Sequence, residues 1–563
     1  MGLRDRLDVA SPRWFSRLRT SALLVALATP ACTGIFGDPD KVPGPKGNEG
    51  VESLNARSQF PRLSHAQWEN TTRDLLRLDA RTGMSASFTR DPLGGVFDNN
   101  EIVLQVTPGL WSDYQVAAEE LSALVTSSSE LLGRIVPADT GGDQEARVRE
   151  FVTSFGLRAF RRPLTDVEVG RFLALYRSAP EVLTDTDPFV GGMQLVLQAF
   201  LQSPFFVYRV NAGGTPRPDG LIPLTGYEIA TNLSYFLWNT MPDDTLLEAA
   251  TSGELSTPEG VHAYAKQMLE DPRAHEVVGS FHGQLYKFEH YLDLAKDPEL
   301  FPNFTPEMGE DMAREAEMFV EHVVFSQNGS LADLFTSRTA FVNDRLAEVY
   351  GLEGDHSEEF KQVTLDPAQR SGLLTRIGFL ASNATARQPD TIHRGVFVNL
   401  RLLCSKLPSP PNNVEALPAS TEGTNRDRVD AHTGKGTCGA ACHATMINPI
   451  GFAFENYDAL GQWRTMDNSL PIDAADEFHF ASGAQRFENG VELSQVIAES
   501  DEAHSCYAKH WLQFGLGRDT TDADAPLLVK IAESSRGGAP VKELILDLVA
   551  SDAFLTRSPV EAP

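Results

Sequence analysis

The sequence lacks most of the short motifs by which enzymes are recognised. No GxSxG elbow, P-loop, HExxH helix or EF-hand loop occurs in its 563 residues, so the α/β-hydrolase, P-loop nucleotide, zincin and EF-hand readings have no motif to rest on. Carboxylates abound, but in a chain this acidic, pairs arise by chance and mark no hydrolytic site. His275, His282 and His290 lie close in sequence without the i, i+4 spacing of a helical metal pair, so they read as surface or core histidines. A solenoid-type repeat is also missing. So is a long apolar run. The nearest thing, Gly192–Ser203 (GMQLVLQAFLQS), is striped by Gln194, Gln198 and Gln202 and stopped by Pro204, and reads as a buried amphipathic helix. Basic charge is the largest deficit: 48 Lys and Arg stand against 77 Asp and Glu, a net of −29. Such a surface repels nucleic-acid phosphates and anionic lipid, and suits solubility and the steering of a basic partner.

What is present begins with an export signal. Arg13, Arg17 and Arg19 lead into the short apolar core Ser21–Ala28, followed by Thr-Pro-Ala-Cys32, the grammar of a secretory segment. A cysteine after small residues, then a Gly/Pro-rich stretch, resembles a bacterial lipoprotein cleavage site with Cys32 lipidated. Thr29 departs from the usual Leu there, and a plain signal peptide cut near Ala31 is the alternative. Either way the expectation is an exported protein of the cell envelope, periplasmic or on the outer membrane or cell surface, touching the membrane only through a lipid anchor. Residues 33–60 are rich in Gly, Pro and charge and read as a flexible tether. About 500 residues then remain, too many for one core and enough for three or more packed modules.

Helical periodicity dominates that remainder, so the expected fold class is mainly α. Ser64 with Gln67, Thr165 with Glu168 and Thr225 with Glu228 have the spacing of capping boxes, and Thr257-Pro258 that of an N-cap with proline in the first turn. Trp68, Leu75 and Leu76 share one face, as do Met312, Phe319, Val320, Val323 and Val324 in Asp311–Phe325. Ser371–Ser382 and Arg394–Leu403 predict two further helices, and Pro408, Pro410 and Pro411 an extended loop. The expected division is 1–32 signal, 33–60 tether, helical modules at 61–140, 141–215 and 216–360, a module around a close pair of cysteines at 361–480, and a closing helical module at 481–563.

One stretch carries recognisable chemistry: Cys438-Gly-Ala-Ala-Cys442-His443. Two thiols followed at once by an imidazole fix haem covalently: the thiols add to the vinyl groups as thioethers and the histidine binds the iron. The usual spacer is two residues, and here it is three. Other readings stand beside it: a local Cys438–Cys442 disulfide, a zinc site completed by His443 and His432, or a free dithiol. The cysteine count bears on the choice. Lipidation takes Cys32, haem takes Cys438 and Cys442, and an oxidising compartment pairs Cys404 with Cys506. If haem c binds, His443 is the proximal ligand. Met446 is too near in sequence to reach the opposite face. His432 is the first choice as distal ligand and Met466 the second, with an open position third. Phe452, Phe454, Tyr457 and Trp463 would exclude water or serve as ordinary core; Arg464 would meet a haem propionate or stand solvated. Asn448-Pro449-Ile-Gly451 reads as a turn.

Several segments together resemble the multi-module secreted proteins of planctomycetes and myxobacteria, made of domains of unknown function and a planctomycete-type cytochrome c domain. They are RLSHAQWENTTRDLL, FGLRAFRRPLTDVEVGRFLALY, LTGYEIATNLSYFLWNTMPDDTLLEAATSGELSTPEGV, RSGLLTRIGFLASNATARQPDTIHRGVFVNLRLL with CGAACHATMINPIGFAFENYDALGQWR, and finally CYAKHWLQFGLGR with LILDLVASDAFL. The resemblance implies an exported, mainly helical protein whose chemical element is a c-type haem motif, with no substrate implied. Where the family carries Asp before the proline, this chain carries Asn448. The functional expectation is electron transfer or redox with an unidentified redox partner. A non-haem binding or structural protein and a haem enzyme with an open iron position are the alternatives.

Overall fold

Helix starts follow the capping grammar. In the computed structural model, which describes residues 60–559 apart from 93, 355, 409–416, 418–422 and 438, Ser64, Thr165 and Thr225 each close a reciprocal box. These boxes open the helices His65–Leu76, Asp166–Val182 and Gly226–Leu237. Each box satisfies N–H groups that have no partner inside the helix. Thr257 caps Pro258–Met268 with proline in the first turn. The protein is mainly helical; the strands among the described residues are short antiparallel pairs. No described helix is long and apolar enough to cross a membrane. The Gly192–Ser203 run lies mostly within the helix Pro188–Leu201, whose Met193, Val196, Leu197 and Phe200 are buried.

Two hydrophobic cores form among the described residues, fewer than the three or more modules expected. One is built almost wholly from residues 63–207. The other gathers Leu224 through Phe554, so the last three sequence modules share one interior. The physical cause is the closing helix Asp501–Leu516, which docks among helices far earlier in the chain. Trp511 stacks on Phe281 at 3.7 Å, His282 Nε2 lies 2.9 Å from the Tyr507 hydroxyl, and Ile222 pairs with Arg557 in a two-stranded ribbon. The hairpin Asp476–Phe480/Gly483–Phe487 bridges the position where the sequence reading divides the last two modules.

Two expected elements are altered. The Ser371–Ser382 helix is broken into a 3₁₀ turn, Leu373–Thr375, and a short helix, Ile377–Ser382. The break falls at Arg376, whose backbone is extended and whose buried guanidinium reaches Glu315 at 2.5 Å; satisfying that charge takes priority over helix continuity. The Arg394–Leu403 helix starts earlier, at Thr391, and ends in a π-turn, Val398–Leu402.

Candidate haem site

The segment around the cysteine motif is organised by the helix Asn425–Thr433. Thr424 and Asp427 close a capping box at its start, a T-x-x-D pattern that is visible in the sequence and was not read there. His432 is in its last turn and half-buried. The chain then turns through Gly439, whose carbonyl accepts from the Cys442 and His443 amides at 3.0 and 2.8 Å. A π-turn, His443–Ile447, leads into a short helix, Asn448–Phe452, where a turn was expected. Pro449 sits in the first helical turn, where its missing N–H costs nothing.

This segment lies hard against the helix Thr391–Phe397. A Cβ on Gly395 would come within 2.1 Å of the Ile447 carbonyl oxygen, and one on Gly451 within 2.1 Å of that of Thr391. Only glycine permits both approaches. Asn399 Nδ2 donates to the Met446 carbonyl at 2.9 Å. Arg394 is fully buried and donates to the carbonyls of Leu380, Phe454, Tyr457 and Asp458. Burial lowers its pKa to about 10. Arg394 is a scaffold residue that sequence reasoning missed; the only signal was a charge opening an apolar helical run.

His443 is half-buried, and its Nδ1 lies 3.3 Å from Asn448 Oδ1. A hydrogen-bond relay assigns its tautomer. Thr433 Oγ1 donates to the Val429 carbonyl at 2.8 Å, so it accepts from Asn448 Nδ2 at 2.9 Å. Asn448 is buried, its amide is thereby oriented, and its Oδ1 is left to accept from His443 Nδ1–H. Nε2 then carries the lone pair, as a ligating imidazole requires. Burial, helped by the neighbouring charge of His432, holds the His443 pKa below its ordinary value against the opposing bond to Asn448. His432 is thus electrostatically close to His443. Met446 shares the π-turn with His443, while Met466 is about half exposed in a two-residue strand.

The cysteines divide as follows. Cys404 and Cys506 form a disulfide with Cα atoms 5.4 Å apart. Cys442 is a free, half-buried thiol. Cys438 and Cys32 lie outside the described residues, as do the expected signal and nearly all of the expected tether. The aromatic residues after the motif belong to the general core: Phe454 packs on Phe379 and Tyr457 on Trp463, and the Tyr457 hydroxyl donates to the Gln369 carbonyl at 2.5 Å. Arg464 is neither solvated nor unengaged. It bonds Asp467 at 2.7 Å and approaches the buried Glu455 at 3.6 Å. Glu455 also accepts from Thr391 Oγ1 and, at 2.8 Å, from Asn425 Nδ2. Of the three isolated histidines, His282 is wholly buried core, His275 stacks on Phe325 at 3.8 Å, and His290 is exposed.

Residues of this kind fit a covalently held haem on two counts. A neutral imidazole with its Nε2 lone pair left for a metal stands directly beside a free thiol, and a second imidazole lies close by. Neither a curated protein nor a solved structure matches the chain. Domain profiles, each described as a protein of unknown function, match five stretches in chain order. They are DUF1587 over residues 61–127, DUF1595 over 147–211, DUF1592 over 224–352, DUF1588 over 370–467 and DUF1585 over 483–554. The fourth, which contains the Cys/His segment, bears the short name PSCyt3, a cytochrome-like label on a domain of unknown function. With all five in sequence, the chain belongs to the planctomycete-type multi-module family that these domains compose.

Proposed function

We propose that this protein is an exported, envelope-anchored c-type haem protein working in electron transfer or redox chemistry. The observation that carries the reading is the relay Val429–Thr433–Asn448–His443, which leaves His443 Nε2 as an acceptor beside the Cys442 thiol. Haem c, joined through Cys438 and Cys442, would supply one-electron exchange. His443 would be its proximal ligand and His432 its distal one. Asn448 in place of a carboxylate is a weaker acceptor for the Nδ1 proton. It leaves the imidazole less electron-rich, which favours the reduced iron. Cys32 would carry the lipid anchor, and the redox partner would be met by a strongly acidic surface.

The test is a pyridine haemochrome spectrum on mature protein made together with cytochrome c maturation machinery. A c-type α-band retained through denaturation is the expected result. Loss of all haem on denaturation, with an intact mass matching a Cys438–Cys442 disulfide, would overturn the reading in favour of a non-haem binding protein. On loaded protein, near-infrared magnetic circular dichroism of the His432→Ala variant tests the distal assignment, with an unchanged spectrum counting against it.

A further inference from the structure

Beside the helix Thr391–Phe397, which backs the Cys/His segment, a cavity of about 270 Å³ lies between the third and fourth family domains. Its walls include Tyr286, Lys287 and His290 from one and Asn383, Asp390 and His393 from the other. The volume falls just below the usual range for ligand cavities, about 300–1,000 Å³, and so suits only a small ligand; such sites favour module boundaries.

The chemistry of the walls reverses the sign of the molecule. In a chain of net charge −29, this cavity presents a lysine and two histidines. Its carboxylate, Asp390, is already committed: Oδ2 lies 2.6 Å from His393 Nδ1, and Oδ1 accepts the His393 amide at 2.9 Å. Lys287 is half-buried and forms no ion pair among the described residues; its electrostatic neighbours are Arg401, which opposes its charge, and the exposed Glu289. A half-buried ammonium without a partner is unfavourable unless something else meets it. Lys287 also adopts φ 59° at the end of the helix Pro272–Tyr286, a left-handed conformation that favours glycine or asparagine.

We propose that this cavity binds a small ligand carrying a carboxylate or phosphate head, with Lys287 and His393 meeting its charge. The site is independent of the haem reading, and its test needs no haem. Inorganic phosphate and succinate are titrated separately into the mature protein by calorimetry at low ionic strength, which distinguishes the two head groups. Saturable binding of at least one, at about 1 mM or tighter, is expected. Lys287→Gly should keep the fold, because glycine suits the left-handed backbone there, and weaken binding at least about tenfold, the loss of one charge-assisted bond. Arg177→Gln, on the helix Asp166–Val182 of the other core, should bind as the parent does. Absence of saturable heat for both anions, or a Lys287→Gly variant that binds as tightly as the parent, overturns the proposal.

Discussion

Replacing Cys404 and Cys506 together by serine cuts a covalent tie between the turn that follows the π-turn Val398–Leu402 and the closing helix Asp501–Leu516. The bonded residues are 102 apart in sequence. A closed loop of that length lowers the entropy of the unfolded chain by an amount worth about 4.7 kcal/mol at 25 °C. That figure is a ceiling, because residual structure in the unfolded chain already removes part of that entropy. His510 Nε2 still donates to the Arg401 carbonyl at 2.9 Å, and Trp511 still stacks on Phe281. The expected loss is therefore about 2–4 kcal/mol. Guanidinium unfolding reads it through Trp511, which is fully buried and five residues from Cys506. The double variant should unfold at lower denaturant, with the shift in the phase that Trp511 reports. A difference below about 1 kcal/mol, or free thiols at both positions in a non-reducing peptide map of exported protein, would refute the reasoning. The same map bears on the haem site, since this pairing leaves Cys438 and Cys442 for other chemistry.

Two further outcomes follow from buried charge. Arg376→Met leaves Glu315 wholly buried with only the Tyr350 hydroxyl, at 2.9 and 3.0 Å, among its present partners. It should cost about 3–5 kcal/mol in chemical denaturation, while Arg376→Met with Glu315→Met should recover most of that; a single variant as stable as the parent contradicts this. His282 and His510 are buried with pKa values lowered to about 4, by burial above all. Between the ordinary value of 6.5 and 4, the unfolded chain binds two more protons at these sites than the folded one. Their contribution is full above pH 6.5 and falls as pH drops, by up to about 2.7 kcal/mol per unit. Denaturant midpoints at pH 7.5 and 5.0 should differ accordingly, and equal midpoints would refute it.

Signals confined to a few residues were legible. Capping boxes at Ser64, Thr165 and Thr225 work between positions i and i+3, so the sequence alone displays them, and the same grammar at Thr424 was there to be read. The CGAACH string was legible for the same reason. The Arg376 break was not, because its cause, Glu315, lies 61 residues earlier. Nor was the helix Asn448–Phe452, since Asn-Pro serves a turn or a first helical turn equally well and packing against Thr391–Phe397 decides between them.

Helix starts, the mainly α class and the lack of a membrane-spanning helix among the described residues were determined by the sequence itself, through periodicity and capping that need no distant partner; the order of the five domains was carried by the resemblance of whole segments to the family. Only tertiary structure decided that the last three domains share one core, because that depends on Trp511 meeting Phe281 across 230 residues of chain. It alone assigned the His443 tautomer, through Thr433 and Asn448 on either side of the motif. It also gathered Lys287, His290 and His393 into one cavity, since charges from two domains meet only once the chain has folded back on itself.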